Sequence, residues 1–205
     1  MAIPVFEDER PYEVINGQIY YMAIPTTAHR IVQRHLSTLF DNFLRGKKCQ
    51  MFYELSVFLN NNSAENKNIN KKGKEPDYLI PDILVVCDPE KIRRNGIYGA
   101  PDLVIEVLSP SSAIHDIFRK KTLYEQLGVR EYWIVSPYET SITVFLFQND
   151  DKYDSGTTYY DADKPRNTPL NTATYTPYIT TSLYGDDLKI YIKDIFADVD
   201  LFEEI

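Results

Sequence analysis

Two acids stand where acids are costly. Glu106 lies inside the apolar run Leu103–Leu108, and Asp82 leads the apolar run Ile83–Cys87. A carboxylate among residues built for burial is expensive unless it is paired or holds a cation. Downstream, Asp116, Lys120 and Tyr124 are spaced by fours, so on a helix they share one stripe. Two convergent carboxylates beside an ammonium suit phosphodiester hydrolysis. Magnesium prefers hard oxygen ligands, keeps several waters and is commonly held by one or two carboxylates. The ion polarises a phosphoryl oxygen and lowers the pKa of a water that becomes the nucleophile. The lysine orients that water and offsets charge in the transition state. The same residues also read as a paired structural acid and a surface lysine, and spacing alone leaves both open.

The elements that must position these groups run from Pro101 to Pro137. A buried strand, Leu103–Leu108, is followed by the turn Ser109–Ser112, then by a helix ending near Leu127 and Gly128. A second buried strand, Glu131–Val135, completes a strand–helix–strand unit. Such units set parallel strands side by side under a crossover helix. Ser111 or Ser112 is the expected helix cap, and Gly128 suits the left-handed position after its end.

Upstream, Tyr12–Ile15, Asn16-Gly17 and Gln18–Met22 form a hairpin signature, since Asn-Gly supplies the two positive-φ residues of a type I′ turn. Glu13 reads there as a solvent-facing strand acid. Thr27–Leu44 has apolar residues at helical spacing, with Thr26 or Thr27 as cap and Gly46 as stop. His29 falls in its first turn and reads as a structural histidine. Gln50–Leu59 is an expected strand, residues 60–74 a mobile polar loop, and residues 150–177 an irregular excursion. Ser141–Gln148 is expected to pair antiparallel with Tyr132–Val135. Leu183–Ile192 reads as an edge strand or hairpin, with a short closing element at Ile195 and Phe196.

The 205 residues suit one domain spanning 1–205 and an α/β architecture. A net charge of −8 argues against a non-specific nucleic-acid binder, which needs cationic surface to displace counterions. An acidic metal site lowers that charge by itself, and basic residues still cluster at Lys67–Lys74, Arg93-Arg94 and Arg119–Lys121. Two cysteines, Cys49 and Cys87, are too few for a secreted disulfide framework, and Cys87 reads as a buried thiol. There is no signal-peptide pattern and no apolar run of membrane-spanning length. The expectation is a cytoplasmic protein with no membrane association.

Taken together, the central motifs resemble a known family. They are Pro81-Asp82, the run Gly96–Pro110 containing Glu106, Asp116-x-x-x-Lys120-x-x-x-Tyr124, and Gly128–Trp133. Glu13-x-x-Asn16-Gly17 and Pro25-x-x-x-His29 extend the match upstream. This pattern resembles the Uma-two family of restriction endonucleases, within the PD-(D/E)xK nuclease superfamily. The resemblance implies a restriction-endonuclease-like mixed sheet flanked by helices, with the hairpin at its N-terminus. It implies a Mg²⁺ site, with Mn²⁺ as a substitute, formed by Asp82, Glu106 and the backbone carbonyl of Val107. It implies nucleic acid, DNA in particular, as substrate and a homodimer as the assembly. The superfamily lysine would fall at position 108, which is Leu108 here; Lys120 on the following helix matches the lysine that family members supply instead. Glu13, His29, Asp116 and Tyr124 match positions around the metal. The alternative is a nuclease-fold binding or regulatory module without hydrolysis.

Overall fold

Strict alternation along Leu103–Val107 decides which side chain faces which layer. Leu103, Ile105 and Val107 point to one side of a sheet, Val104 and Glu106 to the other, and all five are buried. A computed structural model describes residues 10–59, 76–109, 114–162 and 173–199. The expected loop at 60–74, the Ser111 or Ser112 cap and residues 163–172 of the expected excursion lie outside the described residues.

In chain order the elements are β1 (Tyr12–Ile15), β2 (Gln18–Tyr21), α1 (Thr27–Leu44), β3 (Gln50–Tyr53), β4 (Val57–Phe58), β5 (Tyr78–Leu79) and β6 (Ile83–Val86). A 3-10 turn, Pro89–Lys91, leads to β7 (Ile92–Arg93), β8 (Gly96–Tyr98), β9 (Leu103–Val107), α2 (Ile114–Leu127), β10 (Glu131–Ser136) and β11 (Ser141–Leu146). The remainder is β12 (Thr157–Asp161), β13 (Ala173–Thr176), β14 (Tyr178–Thr181), β15 (Gly185–Tyr191) and α3 (Ile192–Ile195).

Among the described residues these strands form two main sheets and a hairpin. The larger has seven strands in the order β13-β12-β11-β10-β9-β6-β3. β9 and β10 are parallel, with Ile134 opposite Glu106, and α2 is their crossover. β6 runs antiparallel to β9, and β11 antiparallel to β10. The smaller sheet has six strands in the order β2-β1-β5-β4-β8-β7. This is the mixed sheet flanked by helices that the sequence motifs imply, with the β1–β2 hairpin joined to the second sheet.

Each face of the large sheet has its own core. Ile83, Val85, Leu103, Ile105 and Trp133 pack against α1, α3 and the β14–β15 hairpin. Leu84, Val104 and Tyr132 pack against α2 and the inner side of the small sheet. Phe40 of α1 and Trp133 are fully buried with ring centroids 6.2 Å apart. Burying one such side chain is worth about 1.5–3 kcal/mol. The α1 helix starts as the sequence predicts, with Thr26 Oγ1 accepting from the His29 N–H.

Three local expectations change. The segment Gln50–Leu59 is two strands in different sheets. It breaks at Glu54, whose φ of 50° turns the chain out of β3 before β4 joins the small sheet. Part of the segment 150–177 is regular, since β12 and β13 extend the large sheet as a parallel pair. Cys49 and Cys87 form a disulfide instead of leaving a buried thiol. The cause is register: Gln50 pairs with Val86, so the next residues outward, Cys49 and Cys87, face each other across β3 and β6.

Glu131 is fully buried, and its role is structural. Oε1 accepts from Trp133 Nε1 at 2.7 Å, and Oε2 accepts from Ser182 N–H at 2.7 Å and Ser182 Oγ at 2.6 Å. The carboxyl therefore ties β10 to the turn between β14 and β15. Burial pushes its pKa up, against the pull of the Ser182 and Trp133 bonds. Glu131→Ala strands the Trp133 and Ser182 donors in the interior at about 1–3 kcal/mol. Thermal melts are expected to fall by roughly 2–4 °C per kcal/mol for a chain of this size. An unchanged melting temperature would mean that this tie contributes nothing. Among the described residues, no helix is long and apolar enough to cross a membrane.

Candidate active site

Strand register alone brings the two acids together. Ile83 pairs with Ile105, so one step further Asp82 falls opposite Glu106. The main chain completes the link, because the Val107 N–H donates to Asp82 Oδ2 at 2.7 Å. His29 holds the other oxygen, with Nε2 3.2 Å from Asp82 Oδ1. Among the described residues His29 Nδ1 is buried without a partner, so the Asp82 contact is what orients the ring. Gln33, one turn along α1, donates to the Asp82 carbonyl at 3.2 Å and to Glu54 Oε1 at 3.1 Å.

Glu106 faces the crossover helix. Lys120 Nζ lies 3.2 and 3.3 Å from its two carboxylate oxygens, and Tyr124 Oη donates to Oε1 at 2.8 Å. The spacing by fours thus places both donors on one inward stripe. Lys120 Nζ also lies 2.8 Å from Glu13 Oε1, which accepts from the Ile80 N–H at 2.9 Å. The small sheet therefore contributes an acid to a site built on the large one. Glu13, Asp82, Glu106 and Lys120 are all at least nine-tenths buried.

Charge balance is the chief property of this cluster. Two carboxyl groups flank the Lys120 ammonium and a third, Asp82, stands beside Glu106, in an interior where unbalanced charge is expensive. Burial pushes the Glu106 carboxyl up to about 8, with Lys120 opposing and Asp82 and Glu13 reinforcing the rise. The Tyr124 hydroxyl is held protonated by burial and by Glu106, so it stays a donor. A proton on Glu106 relieves part of this excess of negative charge, and a divalent cation would offset more of it.

Asp82, Glu106, Lys120, Tyr124, Glu13 and His29 are thus assembled at one place. Glu13 departs from the solvent-facing reading, because β1 lies inside the small sheet between β2 and β5. His29 pairs with Asp82, which fits a structural histidine and also the place the motif gives it beside the acids. The main chain of Val107 reaches the site through its N–H. Asp116 stands in the first turn of α2, and its side chain lies outside what the structure describes. Gln33 and Ile80 were not foreseen. The sole sequence signal for Gln33 is its place one turn after His29.

The donors suit a hard cation. Among the described residues no three His, Cys, Asp or Glu side chains gather at ligating distances. An ion here would be held by Asp82, Glu106 and main-chain oxygen, with water filling the remaining positions, which magnesium accepts readily.

Comparisons with known proteins bear on the fold and the family. A solved structure titled "a putative nuclease belonging to DUF820", from Anabaena variabilis, superposes with a TM-score of 0.68 at 19% identity, covering 96% of this chain and 94% of that one. That likeness shows that the two chains share a fold. An uncharacterized protein of Synechocystis is 32% identical over 144 residues, 70% of this chain and 68% of the relative. The Uma2 family model, described as "Putative restriction endonuclease", matches residues 1–170. The chain therefore belongs to the Uma2 family.

Proposed function

We propose that the protein is a metal-dependent endonuclease that hydrolyses phosphodiester bonds in DNA. The observation that carries this reading is the buried cluster of Glu13, Asp82 and Glu106, where Lys120 pairs with two of the acids and negative charge exceeds positive. Family membership supports the reaction class. Asp82 and Glu106 would hold Mg²⁺, or Mn²⁺ in its place, with the Val107 carbonyl as a third ligand. The bound ion supplies a Lewis acid and an acidified water.

The chain's own residues have distinct tasks. His29 and the Val107 N–H fix the Asp82 carboxylate at both oxygens, so it needs little reorganisation to ligate. Tyr124 orients Glu106. Glu13 holds the Lys120 ammonium within reach of the reacting phosphate, where it offsets developing charge. Buried walls exclude bulk water and strengthen each of these interactions. Because His29 orients a ligand, His29→Ala is expected to weaken Mg²⁺ binding by about 10–100-fold. Calorimetric titration measures this, and wild-type affinity in the variant would remove His29 from that role.

The test of function uses circular DNA, which has no ends. Incubation with Mg²⁺ or Mn²⁺ is expected to convert closed single-stranded and double-stranded circles to linear or nicked forms. Glu106→Gln, purified in parallel, is expected to leave them intact. A binding module without hydrolysis predicts retained oligonucleotides and no nicking by either protein, and that result would replace the nuclease reading.

A further inference from the structure

The outer face of the small sheet carries a continuous row of aromatic rings. Tyr21 of β2, Tyr12 of β1, Tyr78 of β5, Phe58 of β4 and Tyr98 of β8 follow the strand order without a gap. Neighbouring ring centroids are 6.2, 6.3, 5.9 and 4.4 Å apart along that row. Register explains it. Tyr12 is opposite Tyr21, and Phe58 is opposite both Tyr78 and Tyr98. At about 4.8 Å per strand the row is about 19 Å long. Glu13 lies beside Tyr12 on β1, and strand alternation sends it to the opposite, inner face, where it meets Lys120.

Cross-strand aromatic pairs stabilise a sheet, and that accounts for the buried Phe58. It does not account for the other four rings. Tyr21 is 47% exposed, and Tyr12, Tyr78 and Tyr98 each keep part of their surface in solvent. Arginines stand at both limits of the row. The Arg10 guanidinium lies 5.1 Å from the Tyr21 ring centroid, and at the other edge Arg93 and Arg94 are exposed. At the β2 edge the Arg119 guanidinium lies 3.9 Å from the Tyr20 ring centroid, next in sequence to Lys120. In a chain of net charge −8, these cations stand beside π faces.

We infer that this face binds unpaired nucleotides, the bases stacking on the aromatic row and the phosphates meeting the flanking arginines. The inference rests on the nuclease reading and names its substrate form: single-stranded or locally opened DNA. Base–aromatic stacking works on any sequence, because every base has a π face. A duplex hides those faces inside its own stack. Duplex binding without stacking depends instead on extended cationic surface. Among the described residues Arg30 is paired with Glu54, Arg45 with Asp41 and Arg130 with Asp102, so these three guanidiniums are already engaged. A strand lying along the row reaches the β2 edge, where Tyr20 and Arg119 lead round to Lys120.

The experiment is fluorescence anisotropy of a labelled single-stranded DNA oligonucleotide and of its duplex, in EDTA so that hydrolysis is off. Single-stranded DNA is expected to bind at least about ten-fold more tightly than the duplex. Tyr21→Ala and Tyr78→Ala are each expected to weaken single-strand binding by about five- to 150-fold, the range for loss of one stacking ring. Tyr21→Phe keeps the ring and is expected to bind as wild type, whereas Tyr21→Leu keeps apolar area and is expected to bind weakly. Circular dichroism and melting temperature show whether each variant is folded, and Tyr21, at the exposed end, is the variant least prone to misfold.

Equal affinity for duplex and single strand overturns the proposal, as does wild-type affinity in Tyr21→Leu. No binding by the wild-type protein, with a Tyr21 variant instead altering the sedimentation coefficient, also overturns it and marks the row as a protein interface. The two readings fail separately. Single-strand binding that survives in Glu106→Gln, with no cleavage by wild type, leaves this proposal standing and removes the nuclease. Cleavage of duplex circles at full rate by Tyr21→Ala does the reverse.

Discussion

Replacing Lys120 by alanine is expected to cut turnover about a hundred- to a thousand-fold, or about 2.7–4 kcal/mol of barrier, while Mg²⁺ still binds. The side chain lies between Glu13 and Glu106, at 2.8 Å from one and 3.2 Å from the other. An ammonium there acts on phosphate and water and does not ligate the ion. Its neighbour Lys121 points about 100° away on the helix. Lys121 Nζ lies 4.5 Å from the centre of the Phe145 ring and 5.9 Å from that of Tyr153. Lys121→Ala is therefore expected to keep turnover within a few-fold.

Lys120→Ala has a second consequence, which serves as a control on folding. It leaves buried Glu13 and Glu106 without their ammonium, and breaking a buried pair costs about 3–5 kcal/mol. The metal-free variant is expected to melt well below wild type. Mg²⁺ then replaces the lost positive charge, so the ion is expected to raise the melting temperature of Lys120→Ala more than that of wild type. Turnover measured at saturating Mg²⁺, with the variant folded, isolates the chemical role. Wild-type turnover in Lys120→Ala, or equal losses in the two lysine variants, would place the catalytic ammonium elsewhere.

The local parts of this architecture are legible in the residues. Thr26 caps a helix whose limits follow from apolar spacing, and Leu103–Val107, α2 and Glu131–Ser136 form the parallel unit that the pattern predicts. The convergence of Asp82 and Glu106 is legible too, because one acid leads an apolar strand and the other lies inside one, and burial forces such groups to find partners. Tyr124 and Lys120 follow from a spacing of four.

What is not legible depends on pairings between distant segments. Glu13 has the local context of an exposed hairpin acid. Only the docking of β1 beside β5, with Ile80 N–H on its carboxylate, turns it inward. The same holds for the disulfide, which needs the β3–β6 register, and for the split of Gln50–Leu59, which needs two sheets to compete for one segment. The polar composition of β12 and β13 hides them. Thr157–Asp161 and Ala173–Thr176 are held by hydrogen bonding to a sheet already formed, and they carry little apolar alternation of their own.

Glu106→Gln is expected to abolish Mg²⁺ binding and to flatten the pH dependence of the metal-free protein's stability. The Glu106 carboxyl is pushed up to about 8 from an ordinary value of 4.5, chiefly by burial, with Lys120 pulling the other way. Between those two values the folded protein holds a proton that the unfolded chain has released. Stability from this group is complete below about 4.5 and is lost as pH rises through about 8. The slope for one group is at most about 1.4 kcal/mol per pH unit. Melting temperatures of the metal-free wild type are thus expected to fall across that window. In Glu106→Gln the amide cannot ionise, so the fall attributable to this group disappears. Mg²⁺ needs the carboxylate, so at pH 7 its binding is expected to expel close to one proton. Affinity is then expected to rise about ten-fold per pH unit up to about 8. Calorimetry in two buffers of different ionisation enthalpy counts the proton directly. An unaltered stability slope in Glu106→Gln, or Mg²⁺ binding without proton release, would mean that Glu106 is already ionised against Lys120.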